Sequence, residues 1–217
     1  MKDFEKAAVN AFSTTFLAAQ ITECYFHLCQ SVLRKVNEVG LKKAYTTTPE
    51  LALALKMVPA TAFLPVEHVE EGFNIVMEEV GDILLRLKSD DEVSEKVEQF
   101  ACYFQKTYIR GTSRAPLFEP SIWNQNNAAS EGLARTNNAV EGWHYGIQSL
   151  FSGSHPDVWT FLQKFRQDAL LHKFNALQAV TGNQKKPRRK YQQLNAGVQT
   201  LITSYDENKE NIETFLS

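Results

Sequence analysis

The sequence predicts a mainly helical fold, and three observations predict it. Apolar residues recur every three or four positions through most of the chain, the spacing that gathers them on one face of a helix. Only one segment, Ile21–Phe26, has the makeup of a strand. Gly40, Pro59, Gly111, Pro116 and Pro120 punctuate the periodic stretches where helices end or loops begin.

Composition bounds the reading further. With 43% hydrophobic and 22% charged residues, the chain has the material for a packed core and lacks the makeup of a disordered one. No run approaches the ~20 apolar residues that cross a bilayer. The opening MKDFEKAAVN has none of the apolar stretch of a secretion signal. Three cysteines, Cys24, Cys29 and Cys102, are an odd and sparse set, which fits a reducing compartment better than a disulfide framework. A net charge of −2 gives no general pull towards nucleic acid or membrane, so DNA affinity would have to come from local basic clusters.

From the N-terminus, Phe4–Phe16 carries Ala7, Ala8, Ala11 and Phe12 in a short helical pattern that opens right after Asp3. The strand Ile21–Phe26 follows, then a helix with Leu28, Val32, Val36 and Val39 on one face and Gly40 as its stop. Leu51–Val58 is a short apolar run ending at Pro59. The clearest helix has Val66, Val69, Phe73, Val76, Val80, Leu84 and Leu87 at 3.6-residue spacing, with Pro65 where a first turn tolerates it. Val93, Val97, Phe100 and Phe104 define the next, closed by Gly111, and APLFEPSIWN reads as extended loop. A helix over Asn138–Phe151 is expected to bury Val140, Trp143, Ile147 and Leu150. Another, capped by Ser154 with Pro156 just inside, is expected to bury Val158, Phe161, Leu162, Phe165 and Ala169. TGNQKKPRRK reads as an exposed basic linker, and a last helix sets Leu194, Val198, Leu201, Ile202 and Tyr205 on one side. A lone strand leaves an unpaired edge, so self-association through that edge is expected.

Several segments resemble the catalytic domain of Mutator-like (MULE) transposases. DFEKAAVNAF, ITECYFHLCQSVLRKV with its Cys24-x-x-His27, and GLKKAY are similar to the middle of that domain. TAFLPVEHV, ACYFQKTYIRG, APLFEPSIWN and RTNNAVEGWH, followed by HPDVWTFL, are similar to its C-terminal half. Order and spacing hold over about residues 3–205; RTNN-x-x-EGWH is long and chemically unusual, whereas Cys-x-x-His alone is weak. The resemblance implies an RNase H-like α/β fold with a helical insertion and an Asp-Asp-Glu triad that holds Mg²⁺ to cut and join DNA. Two metal ions ~3.5–4 Å apart then stabilise the attacking and leaving oxygens, and Mg²⁺ prefers such carboxylate ligands.

Carried over residue by residue, Asp3 matches the second aspartate and Glu141 the glutamate of the late helix, both catalytic and metal-holding. Cys24, His27 and His144 match positions that support the active site. The first aspartate and the first strands have no counterpart, since only Met1 and Lys2 precede Asp3. The implied fold class is therefore mainly α: a partial RNase H-like domain lacking its first strands, with a helical insertion. Residues 1–40 would be the remnant of its core, 41–134 the insertion, 135–180 the last RNase H-like helix and the one after it, and 181–217 the basic linker and C-terminal helix. The implied polypeptide is nuclear, does not transpose DNA alone, and holds no Mg²⁺ stably although intact relatives do. A domesticated, non-enzymatic nuclear protein that binds partners or DNA is the alternative.

Each candidate also has a structural reading. Asp3 is a natural helix cap before FEKAA, and Asn138-x-x-Glu141 has the form of a capping box. Cys24 and His27 have the spacing of half a zinc site, but no second short-spaced pair completes it, so packing is the preferred reading. Lys185, Lys186, Arg188, Arg189 and Lys190 form the dense basic run, suited to nuclear import or phosphate contact and equally to a solvated linker. Arg34, Lys35, Lys42 and Lys43 read as a solvated helix face, Trp143 and Trp159 as core, and Trp123 as packing for its loop.

Overall fold

The computed structural model describes residues 6–18, 21–111, 114–136, 138–151, 155–181, 189–208 and 211–216. They are helical almost throughout, in the order α1 (Lys6–Thr15), α2 (Tyr25–Glu38), α3 (Lys42–Thr47), α4 (Pro49–Ala60), α5 (Val69–Arg86), α6 (Asp91–Phe104), α7 (Pro120–Trp123), α8 (Asn126–Ser130), α9 (Asn138–Ser149), α10 (Val158–Val180), α11 (Arg189–Asn208) and α12 (Ile212–Leu216). They fall into two compact units. The first combines Met1–Arg135 with Asn195–Ser217, and the second is Thr136–Leu194.

The first unit holds the main core. The helical spacing of α2 buries Leu28, Val32 and Val36; Val39 closes it, and Gly40 turns the chain at φ +81. In α4, Leu51, Ala54, Leu55 and Val58 are buried, and the helix runs one residue past Pro59 before tightening into a turn at Thr61–Phe63. The long face expected from Val66 to Leu87 forms α5, whose buried centre is Val69, Phe73, Val76, Val80 and Leu84. Its ends stay in water, with Val66 at 43% and Leu87 at 46% exposure. α6 buries Val97, Phe100 and Phe104 and loosens into a π-type turn over Gln105–Ile109. There the Phe104 ring lies 5.3 Å from Phe73 and 5.0 Å from Tyr108. The short α12 closes the core from the far end of the chain, burying Ile212 and Leu216 against the Gly72 side of α5.

The strand expected at Ile21–Phe26 is not formed. Residues 21–24 have no regular structure, Tyr25 and Phe26 open α2, and no strand occurs among the described residues. The backbone groups that a sheet would pair are met otherwise. Glu23 N–H donates to the Ile122 carbonyl at 2.8 Å and Tyr25 N–H to the Arg135 carbonyl at 3.0 Å, while Gln125 Nε2 donates to the Glu23 carbonyl at 2.9 Å. With no strand formed over these residues, the strand edge expected for self-association is not present there.

The second unit departs from expectation in burial. In α9 only Ile147 of the expected set is buried; Trp143 is half-buried, and Val140 and Leu150 are 50% and 42% exposed. In α10, Val158, Phe161, Leu162, Phe165 and Ala169 are all exposed, as is Trp159 at 80%. Two helices with apolar residues on several sides cover only the stripes that face each other. The cap of α10 is Asp157, whose carboxylate accepts from Trp159 N–H and Thr160 N–H, both at 3.0 Å; the expected cap, Ser154, lies outside the described residues.

Candidate functional site

The matched positions divide between the units. Glu141 sits in the first turn of α9 and His144 one turn on, both exposed and both in the second unit. Cys24 and His27 lie at the start of α2 in the first. Asp3, Lys185, Lys186 and Arg188 lie outside the described residues, as does the side chain of Lys190; Arg189 is the exposed first residue of α11.

Around Cys24 and His27 the chain builds a tight junction. Cys24 is buried, its backbone extended (φ −73, ψ 124), and its carbonyl accepts from His27 N–H at 3.0 Å and Leu28 N–H at 3.1 Å. The Tyr25 ring packs 4.8 Å from that of Phe63, and the Arg135 guanidinium lies over Phe63 at 5.3 Å. Arg135 also donates to the Asn195 side chain. Through the Tyr25–Arg135 backbone bond, the first residue of RTNNAVEGWH is tied directly beside the Cys-x-x-His pair.

Burial sets the electrostatics here. It pushes the Tyr25 phenol well above its ordinary range, with Cys29 beside it adding to the rise and Arg135 opposing it. It pushes the Cys29 thiol up as well, against a hydrogen bond from Tyr25. It lowers the Arg135 guanidinium, which Tyr25 partly offsets. A thiol held neutral is a poor nucleophile. Among the described residues no group of three or more His, Cys, Asp and Glu side chains is placed to hold a metal ion.

The loop after α7 supplies contacts that pattern reading passed over. Trp123 is fully buried, and its Nε1 donates to the Tyr108 and Phe118 carbonyls at 3.0 and 3.2 Å. Beyond it, Asn124 donates to the Leu64 carbonyl at 2.8 Å and Asn126 to that of Phe63 at 2.7 Å, while Gln125 is buried against Glu23. The signal was four consecutive amide side chains, Asn124–Asn127, after a tryptophan. Such a run is a clamp for backbone carbonyls.

In the second unit an open groove of about 500 Å³ runs between α9 and α10, lined by Trp143, Gly146, Ile147, Asp168 and Leu171 among others. Trp143 Nε1 donates to Asp168 Oδ2 at 2.7 Å, and His172 Nε2 lies 3.6 Å from Asp168 Oδ1. Glu141 and His144 do not line this groove. Of the weaker basic cluster, Lys35 pairs with Glu38 at 2.8 Å and lies over the Tyr103 ring, and Arg34, Lys42 and Lys43 are exposed.

No family model matches the chain, and no curated protein or solved structure matches it. Among the described residues no helix is long and apolar enough to cross a membrane.

Proposed function

We propose that this chain carries the C-terminal part of the catalytic region of a MULE-type DNA transposase, with Glu141 as the late carboxylate and Asp3 as the second aspartate. The observation that carries the reading is the ordered series of motifs from DFEKAAVNAF to HPDVWTFL, with RTNNAVEGWH at its centre. Two structural features agree with it. The leading residue of that motif is bonded to the Cys24–His27 junction, which bears on the expectation that this pair supports the active site. The exposed apolar residues of α9 and α10 are what helices of an RNase H-like domain would bring to a sheet.

In this reading Glu141 and Asp3 supply two of the three carboxylates that a two-metal centre needs, and Mg²⁺ would stabilise charge on the oxygens exchanged at phosphorus. None of the positions matched in this chain supplies the third carboxylate. The polypeptide by itself is therefore expected to be inactive in strand cleavage and transfer, and DNA and the nucleus are its proposed partner and compartment. The exposed α10 face also suits the second reading, a domesticated nuclear protein that binds a partner. The test is a strand-cleavage assay of the purified polypeptide with Mg²⁺ or Mn²⁺, alone and joined to a segment carrying strands and an upstream aspartate. Activity only in the joined protein, abolished by Glu141→Gln, is the expected result. Activity of the 217 residues alone, or a joined protein indifferent to Glu141→Gln, overturns it.

A further inference from the structure

Two surfaces of this chain are apolar and exposed; acidic side chains from α6 line one, and basic side chains lie on the other. The first is an open groove of about 550 Å³ between α5 and α6, with Met77, Gly81, Leu84, Leu85, Val97 and Ala101 in its lining. Leu85 is 79% exposed. A Cβ added at Gly81 would meet nothing within 4 Å, so packing within the chain does not require glycine there. A mid-helix glycine costs roughly 0.5–1 kcal/mol relative to alanine, and close approach by another element is a physical reason to keep one. Asp91 and Glu98 also line the groove, Glu95 lies on the same stripe of α6, and Lys88 stands at one end.

The second surface is the face of α10 turned away from α9. At ~100° per residue, Trp159, Leu162, Leu170, Leu177 and Val180 fall within an arc of about 80°. All five are half or more exposed. Arg166 and Lys173, also exposed, fall in the same arc. The acidic residue within α10, Asp168, lies on the other side, bonded to Trp143.

We propose that α10 of one copy docks along the α5–α6 groove of a second copy, with Arg166 and Lys173 facing the carboxylates of α6. Spacing favours this pairing. Asp91 and Glu98 are two helical turns apart, as are Arg166 and Lys173, so both pairs span ~10 Å along their helices. The apolar residues between them meet the groove floor. Pairing α10 with α10 in antiparallel register would instead set Arg166 against Lys173, a like-charge contact that disfavours it. This inference does not rest on the transposase reading.

Sedimentation velocity over roughly 1–100 µM, the range that separates weak from tight association, tests it with two charge-reversed proteins. One carries Asp91→Lys and Glu98→Lys, the other Arg166→Glu and Lys173→Glu. All four positions are exposed, so circular dichroism should show unchanged helix content. The wild type is expected to self-associate, less so at high salt, and each variant alone at least tenfold more weakly. An equimolar mixture of the variants should recover association, because it contains one wild-type and one charge-swapped contact. A wild type that stays monomeric, variants that associate as the wild type does, or a mixture that fails to recover would each overturn the proposal.

Discussion

At the scale of single residues, Trp123 shows how one side chain anchors a loop that its prolines leave open. Its indole N–H serves two carbonyls, Tyr108 and Phe118, inside the aromatic cluster. Trp123→Phe keeps most of the apolar burial but removes the two hydrogen bonds the indole donates. A buried hydrogen bond contributes about 0.5–1.5 kcal/mol net, and urea unfolding should show a loss of about 1–3 kcal/mol. Titration gives a second expectation. Burial raises the phenols of Tyr25 and Tyr108 above the ordinary 10.0. The folded state thus favours the protonated form, and an unfolded chain releases those protons first as pH rises. Stability from this source is complete below pH ~10 and declines above it; urea midpoints compared on either side of that pH would show the fall. Thiol labelling followed by mass spectrometry should find exposed Cys102 modified first. Cys29 should be slow at neutral pH and faster in alkali, since burial keeps its thiol neutral.

At the scale of elements, two glycines of α5 make opposite demands. A Cβ at Gly72 would stand 2.3 Å from Leu64 Cδ1 and 3.4 Å from Ile212 Cγ2, and Leu64 is fully buried. Gly72→Ala therefore forces repacking, with an expected loss of about 1–3 kcal/mol. Gly81→Ala meets open space and should gain up to ~1 kcal/mol from helix propensity alone. Denaturant melts of the two variants should shift in opposite directions. Most of these helices were legible because α2, α5 and α6 each bury a single stripe, and periodicity reports a single stripe well. Ile21–Phe26 misled for the reason that short apolar runs do. Composition records side-chain preference, whereas the outcome was decided by Ile122, Gln125 and Arg135, far along the chain, which take up its backbone groups. α10 misled in the opposite way, since an apolar face in sequence says that a helix can be covered and not that it is.

At the scale of the whole molecule, the units differ in what holds them. The first buries a core of aliphatic and aromatic side chains, whereas no residue of α10 is buried. Local stability follows buried contact. Hydrogen exchange in dilute solution should therefore find α5 amides protected by orders of magnitude more than those of α10. Equal protection would mean that α10 is packed in a way its exposure does not suggest. The candidate site was only half legible at this scale. Glu141 and Cys24–His27 stand out by motif, but the Arg135 contact that ties one motif to the other depends on the fold bringing residues 25 and 135 together.

The first unit is interrupted by the second in sequence, and this has a consequence for its biosynthesis. Tyr205, Ile212 and Leu216 complete a core whose other buried members precede Arg135. A ribosome must make all of Thr136–Leu194 between the two portions. At roughly 5–20 residues per second, the seat around Gly72 waits several seconds for its cover. Through that interval the nascent protein presents a greasy recess to its surroundings, so chaperone occupancy during translation should drop only once the α12 residues emerge.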